Sequence, residues 1–508
     1  MQMPIPGKQS VKIYILVYCF FLLVSFLLFL PVLDKGFASD DFLVLYRIVY
    51  QKIFFIRDFF RPLSDISLYG SYLTGGLNPV YYNVFNVLIH GSSAFLLYRI
   101  CLLPVFAPVG NRLFFAWLAA LLFLVYPFHN EAVIWAIGRG IVLSGFFGLL
   151  SLLVVFLDIS HLKKCVLSGL FYFIGLCGYE TILPLPLIIL LLLYSRRGGS
   201  NRKLVPLAGG YLLALLTNII LHAAIAGAVW GPYGSKMFSS SVAGICIKFF
   251  KTAGRLFLPP SQSSGLLVGF FIIMLLGIAW YAGCIIKKKD SRSQGFVRMT
   301  VITFVSCIIP ALFGISTRTY EGDRVFYFSS FFLCIWIAYL VALLKGPRLR
   351  RTVTGLVGFY FLFFFYESVF IWRISGQMAS AVIRSVAAVK QPGKKLYLIN
   401  IPEEYKGAQV MRNGFAEALL MHRIDTGGIV AINYLSSDSA AAVKGAIKPE
   451  NRPQGIFIYP AAIVRSHSID ARVRTGINFT DSVHVALNGT DLVYYWDKES
   501  LVLFRPSF

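Results

Sequence analysis

The sequence predicts an α-helical polytopic membrane protein of about 11 transmembrane helices, with a small C-terminal α/β domain outside the membrane. Three observations predict it. Hydrophobic residues make up 57% of the chain before its 43 glycines are counted, and only 14% of residues are charged. A soluble chain carries roughly 45–50% apolar residues with glycine included and roughly 25% charged ones. The apolar residues come in runs that approach the roughly 20 residues a helix needs to cross hydrocarbon. The basic residues gather in short loops between those runs, and composition turns polar from residue 373 onward. These features exclude a disordered chain, a secreted disulfide scaffold and an ordinary cytosolic enzyme. The net charge of +24 reports membrane orientation rather than a nucleic-acid partner, because the Lys and Arg sit in loops between apolar runs.

In order, the candidate spans are 12–33, 79–103, 113–128, 132–157, 165–178, 180–194, 204–229, 264–286, 299–316, 325–344 and 352–372. The first run is too long for a signal peptide and has no A-x-A-type cleavage site, so it reads as an uncleaved span. With the N-terminus cytoplasmic, the inner loops hold Lys8 and Lys12, then Arg112, then Lys163 and Lys164. They continue with Arg196, Arg197, Arg202 and Lys203, then Lys287, Lys288, Lys289 and Arg292, then Lys345, Arg348, Arg350 and Arg351. Every cluster falls on one side, as the positive-inside rule demands. The expected location is a bacterial inner membrane with the C-terminal segment in the periplasm; in a eukaryote that face is the ER lumen.

The domain division expected is a transmembrane domain over 1–372 and a soluble extracytoplasmic domain over 373–508. The second reads as a strand at Lys395–Ile401, a helix over about 408–421, strands at Gly428–Tyr434 and Gly455–Tyr459, and a closing pair drawn from Val483–Leu487, Leu492–Trp496 and Leu501–Phe504. Two more outer segments exceed a turn: 34–78, and 230–263 with an amphipathic stretch near 240–258. The eight cysteines all precede the polar tail and form no CxxC pair. No zinc site is expected.

The polar residues of the outer face carry the chemistry. Asp40 and Asp41 follow the first span. Adjacent carboxylates suit a general base or a divalent-cation site, or the N-cap of a helix. Arg61, in Arg61-Pro62-Leu63, suits a bidentate grip on phosphate or snorkelling to headgroups. His129, Glu131 and Arg139 sit where two spans turn. Glu131 and Arg139, eight residues apart, would lie about two helical turns apart on one face and could neutralise each other. Glu180 opens the sixth span. Asp323 and Arg324 lie at the mouth of the tenth, with Arg318 and Glu321 nearby. Ionisable groups at membrane depth cost about 2.5–3.5 kcal/mol on insertion scales, so a functional reading is the default. Carboxylates and arginines on one face suit an anionic, membrane-borne substrate.

At these residues the sequence resembles the GT-C glycosyltransferases, polytopic enzymes that use a polyprenyl-phosphate sugar donor. It is most similar to the protein O-mannosyltransferase (glycosyltransferase family 39)-like group and to the membrane half of the transmembrane and tetratricopeptide-repeat mannosyltransferases. The resemblance rests on Asp40-Asp41, Arg61-Pro62-Leu63 and Gly76-Leu77-Asn78-Pro79, followed by Tyr82, Asn86 and His90. It continues with Tyr126-Pro127-Phe128-His129-Asn130-Glu131-Ala132-Val133, Gly138-Arg139, Tyr179-Glu180-Thr181 and Asp323-Arg324-Val325-Phe326-Tyr327-Phe328-Ser329-Ser330. The family's leading His is Tyr126 here, its Lys is Tyr179 and its Pro is Ser329. No tetratricopeptide array follows.

The resemblance implies an inverting transfer from a polyprenyl-phosphate-linked sugar to a hydroxyl of a glycan, lipid or protein acceptor. Asp40 or Asp41 would be the base; Arg61, Arg139 and Arg324 would hold the donor phosphate; and His129, Glu131, Glu180 and Asp323 would support them. No cofactor is demanded, although Asp40 with Asp41 could bind a divalent cation. Membrane lipids are the remaining partner. The alternative is a transporter or flippase of lipid-linked saccharides. It is disfavoured because the charges cluster at one face and no inverted repeat is evident.

The topology has a direct test. In a cysteine-free background, Lys288→Cys should react with an impermeant thiol reagent only from the cytoplasmic side, and Ala440→Cys only from the other. Labelling of both from one side would break the placement of every candidate residue.

Overall fold

The computed structural model describes residues 8–56, 60–103, 105–106, 111–194, 201–227, 241–286, 291–432, 447–449, 455–458, 483–486, 490–497 and 499–504. The basic clusters at Arg196-Arg197 and Lys287–Lys289 lie outside the described residues. In chain order the helices are α1 (Lys8–Phe29), α2 (Asp40–Val49), α3 (Pro62–Gly75), α4 (Pro79–Cys101), α5 (Arg112–Leu124), α6 (Asn130–Ile134), α7 (Arg139–Val155), α8 (His161–Leu176) and α9 (Leu185–Tyr194). Next come α10 (Asn201–Leu221), α11 (Val242–Arg255), α12 (Ser264–Ile286), α13 (Ser291–Ser306), α14 (Ile308–Phe313), α15 (Tyr327–Leu343), α16 (Pro347–Val389) and α17 (Phe415–Met421).

Every expected span therefore carries a helix. Among the described residues seven helices are long and apolar enough to cross a membrane, or eight if α5 and the 127–134 segment, bent by 56°, count as one span. Glu180–Leu193 and Ser264–Ala279 are shorter apolar helices. The chain is a multi-pass membrane protein, mostly helical.

The chain divides into two compact units: residues 1–34 with 52–370, and residues 35–51 with 371–508. The first is the helical unit. Its centre is α4, which packs on α1, α3, α5 and α7. The 323–343 span is 83% buried within the protein, against 17% for 11–32. The first forms the core, and the second leaves its apolar side chains for lipid. The Gly-Leu-Asn-Pro stretch is helix punctuation. Gly76, at φ +59°, ends α3, and Asn78 accepts the Val80 amide at 3.0 Å to start α4 at Pro79. These are the stop and start signals expected of a glycine after a helix and a proline at its first position. At the start of α7, Gly140 and Gly178 approach so closely that a Cβ on either would lie within 2.8 Å of the other's carbonyl oxygen.

The second unit holds a four-stranded sheet of order β4-β1-β8-β9, from β1 (Leu396–Ile399), β4 (Ile429–Ile432), β8 (Leu492–Asp497) and β9 (Ser500–Leu503). β1 runs parallel to both β4 and β8, and β8 and β9 form the closing antiparallel pair. The strand at Val483–Ala486 (β7) pairs with Gly455–Ile458 (β6) instead, and β6 also pairs with Ile447–Pro449 (β5). The helix expected over about 408–421 is shorter. Residues Glu404–Tyr405 (β2) and Ala408–Gln409 (β3) make a hairpin turned by Lys406 and Gly407, both at positive φ, and only Phe415–Met421 is helical. Two positive φ values in a two-residue loop match the twist of a hairpin and are incompatible with a helix. Val410 and Met411, which follow the hairpin, are buried. The segment 35–51, which carries α2, belongs to this second unit and packs α2 on α17.

Candidate active site

The candidate residues fall in both units. Arg61, His129, Glu131, Arg139, Glu180, Asp323 and Arg324 belong to the helical unit. Asp40 and Asp41 belong to the other.

In the helical unit the decisive feature is a break. After α5 the chain turns through Pro127–His129, runs one turn as α6, turns again through Ala136–Gly138 and resumes as α7. Proline at 127 and a β-region Trp135 make continuous helix impossible. Breaking a membrane helix frees carbonyls that lipid cannot satisfy. Asn86 of α4 meets them: its Nδ2 donates to the Val133, Trp135 and Ala136 carbonyls at 3.2, 3.2 and 3.5 Å. Its Oδ1 accepts from Arg139 Nε at 2.9 Å. Arg139 donates onward to the Ser67 carbonyl (2.6 Å), Ser71 Oγ (2.8 Å) and the Tyr82 carbonyl (3.0 Å). It is fully buried and lies over the Phe85 ring. The structure therefore corrects two expectations. Arg139 does not offer its fork outward to a phosphate, because the fork is engaged by α3 and α4. Nor does it face Glu131 along one helix, because the helix is broken between them.

Glu131 instead pairs with Arg324, accepting from its guanidinium and, at 3.0 Å, from its backbone amide. The Glu131 side chain is 1% exposed and that of Arg324 22%. The preceding residue, Asp323, accepts from Arg255 Nη2 through both carboxylate oxygens, at 2.6 and 2.8 Å, with both side chains enclosed. Arg255 also donates to the Leu258 carbonyl at 2.5 Å. It closes the amphipathic stretch foreseen at 240–258 but was not singled out as a site residue. Its basic position at a helix end was the available signal. The neighbouring Tyr320 hydroxyl donates to Glu367 at 2.9 Å. Burial and that carboxylate push its pKa up.

A third pair, Arg61 with Glu180 at 3.3 Å, is half open, with side chains 23% and 24% exposed. Its place is set by the Leu63 amide, which donates to the Cys177 carbonyl at 3.1 Å, and by Tyr179, whose ring lies 3.9 Å beneath the Arg61 guanidinium. Tyr179 stands where the resemblance expects a lysine, so an aromatic face replaces a second cation. His222, not foreseen, brings its ring to 5.2 Å from Phe60 in a turn of π-helix beside this pair. The short helix α14 packs against both the 180–182 and the 323–326 turns. The Arg61–Glu180 and Arg324–Glu131 pairs are thus gathered around one element.

His129 is enclosed rather than open. Its Nδ1 bonds Ser330 Oγ at 2.9 Å, and its ring lies 5.1 Å from that of His90, which bonds Tyr327 at 3.1 Å. Both histidines sit among Phe123 and Tyr327, joining helices.

In the second unit Asp40 and Asp41 open α2 and differ sharply. Asp41 is fully buried, and its Oδ2 accepts the Ala38 amide at 3.0 Å. Lys35 is buried near it, over the Trp372 ring. Burial pushes the Lys35 ammonium below its ordinary range, and the Asp41 charge pushes back. Asp40 is half-buried, and its Oδ1 accepts from Asn413 Nδ2 at 2.5 Å. Asp41 is thus turned inward, and Asp40 is the more exposed of the two. Among the described residues no three His, Cys, Asp or Glu cluster as a metal site.

The ion pairs predict a contrast. Asp323→Ala leaves Arg255 buried without its counter-charge, and breaking such a pair costs about 3–5 kcal/mol. Glu180→Gln at the half-open pair costs about 1 kcal/mol or less. Thermal unfolding in detergent should show Asp323→Ala strongly destabilised and Glu180→Gln close to wild type. The reverse order would make the enclosed pair dispensable to folding.

No family model matches the chain. Solved structures similar to it include the archaeal oligosaccharyltransferase AglB from Archaeoglobus fulgidus, at 11% identity and a TM-score of 0.42 over 81% of this chain and 65% of that one. Another is ArnT from Cupriavidus metallidurans, at 12% identity and a TM-score of 0.32 over 86% of this chain and 91% of that one. In sequence, the protein O-mannosyl-transferase tmtc2 of Xenopus laevis is 38% identical over 112 residues, which is 22% of this chain and 12% of that protein. The mouse protein O-mannosyl-transferase TMTC4 is 37% identical over 108 residues, 18% of this chain and 14% of that protein. The alignment thus spans well under a quarter of each relative's length. Over that stretch the chain is similar to the protein O-mannosyl-transferases, as its ordered motifs imply.

Proposed function

We propose that the chain is a membrane glycosyltransferase that moves a sugar from a polyprenyl-phosphate carrier to an acceptor hydroxyl on the outer, periplasmic face. The observation that carries this reading is the asymmetry of the acidic pair. One carboxylate is spent inside the fold, and the other has one oxygen held by Asn413 and an open edge. That is the form a general base requires. The similarity to protein O-mannosyl-transferases supports the reaction class and favours a protein hydroxyl as acceptor.

The chemistry has two demands. Asp40 takes the proton of the acceptor hydroxyl as its oxygen bonds to the anomeric carbon. The bond from that carbon to the phosphate oxygen breaks, and its electron pair leaves with the polyprenyl phosphate. Displacement from the opposite face inverts the anomeric centre. The departing charge needs cations, and Arg61 and Arg324 fit, because each guanidinium is partly exposed. Arg139 acts at a distance, bracing the broken helix that positions Glu131 and, through it, Arg324. Asp41 anchors α2 against the buried Lys35. No metal is assigned to the reaction.

Sugar transfer from a labelled polyprenyl-phosphate donor by purified protein in liposomes tests the reading. Asp40→Asn should reduce turnover by about 10²–10⁴-fold with the protein still folded. Asp41→Asn should act differently, lowering thermal stability because Lys35 loses the charge that offsets its burial. Near-full transfer by Asp40→Asn would refute the base assignment, and movement of intact donor across the bilayer without transfer would point to a flippase.

The arginines have their own test. Arginine presents a planar fork to phosphate, and lysine only a point charge. Arg61→Lys and Arg324→Lys should therefore raise the donor KM. Arg139→Lys should instead lower stability, since one ammonium cannot reproduce four directed bonds. Donor KM unchanged in both of the first two variants would return Arg61 and Arg324 to anchoring the protein at headgroups.

A further inference from the structure

We infer that Asn413, carried by the C-terminal segment, is the positioning residue of Asp40, so the tail completes the catalytic machinery. The inference rests on the reading of Asp40 as the base.

Asn413 is held at two points. Its backbone amide donates to Ser39 Oγ at 3.1 Å, and its side-chain Nδ2 donates to Asp40 Oδ1 at 2.5 Å. An ionised carboxylate only accepts hydrogen bonds, so the amide must present its NH2 edge. Among the described residues no other side chain bonds the Asp40 carboxylate. The loop that delivers Asn413 has little freedom. Ser39 donates its amide to the Val410 carbonyl at 2.7 Å, and its hydroxyl lies 3.5 Å from Gln409 Oε1. Ser375 donates to the Gln409 carbonyl. Gly414 follows at φ +73°, and a Cβ there would sit 2.7 Å from the Ser39 carbonyl oxygen. Ser39 itself adopts φ 49°, a region that L-residues rarely occupy. The backbone of 39–40 and that of 409–414 are thus fixed against each other, and the Asn413–Asp40 bond lies at the centre.

The consequence is chemical. With Oδ1 occupied, Oδ2 is the oxygen left for the acceptor proton, and the carboxylate is fixed in one orientation. Asparagine does this without titrating and without adding charge beside the base.

Turnover and donor KM should be measured for Asn413→Leu, similar in size but without the donor, and for Asn413→Asp, the same shape with an acceptor in its place. Both should lower kcat by about 10- to 100-fold, the scale of a misaligned catalytic group, with donor KM unchanged. Asn413→His, which keeps an N–H, should recover part of the loss. In an Asp40→Asn background Asn413→Leu should cost little more, because the residue acts through Asp40. Should Asn413→Leu fail to fold, Asn413→Asp carries the same comparison. Wild-type kcat in the Asn413 variants with Asp40→Asn inactive would overturn the inference and leave the base assignment standing. A loss equally large in both backgrounds, with a lowered melting temperature, would make Asn413 a strut and also overturn it. An active Asp40→Asn would overturn the base assignment and this inference together.

Discussion

The helical unit is organised by the need to satisfy the backbone of a broken membrane helix. Between Tyr126 and Arg139 the chain changes direction twice, buried inside the protein where water cannot serve the freed carbonyls. Asn86 and Arg139 do so together, and each depends on the other. The Asn86 amide can donate to three carbonyls only because its oxygen is turned to Arg139, and Arg139 can be buried only because α3 and α4 supply acceptors. This network fixes α6, and α6 fixes Glu131. Glu131 then holds the 323–326 turn through both the side chain and the amide of Arg324. The placement of these charges follows from a folding problem and its solution.

Burial sorts those charges into kinds. Arg255 and Asp323 are closed off, so their desolvation has to be offset by geometry, and the contact of Arg255 Nη2 with both carboxylate oxygens, together with the Leu258 carbonyl, provides it. Arg61 and Glu180 remain half open, where water and ligand can reach them. Arg324 stands between, its carboxylate partner enclosed and its own guanidinium partly exposed. The enclosed pair sets the backbone of the 323–326 turn, and the partly exposed guanidiniums lie nearer solvent.

Hydropathy and charge made the helices legible, because a membrane imposes long apolar runs and places the basic loops. The acidic pair was legible too, since two adjacent carboxylates beside a membrane call for an explanation. Partnerships were not. Glu131 and Arg139 looked paired because eight residues make about two helical turns, but that spacing holds only in an unbroken helix. The true partner, Arg324, lies 193 residues away, and Arg255 finds Asp323 across 68. Nothing local encodes either. Inside the tail, the helix expected over about 408–421 was placed too early. Gly407 and Gly414, both at positive φ, decided the matter for a hairpin and a loop. Asn413 carried no signal of its own, since a single asparagine before a glycine reads as a turn.

The outer segment after the first span is one loop in sequence and two things in structure. Residues 35–51 fold with the tail, and residues from 52 onward fold with the helices. That division explains why the acidic pair is so firmly built. A pair on a free loop would be solvated and indifferent to its orientation. Here Asp41 is turned inward beside Lys35, and Asp40 is gripped by a residue more than 370 positions later. Placing a lysine and a carboxylate inside a small domain is costly unless each lowers the burden of the other. The return is a fixed first turn of α2. With Asp41 committed to that turn, Asp40 is the only member of the pair with an edge to spare. The chemistry of two like charges in sequence is thereby reduced to that of one.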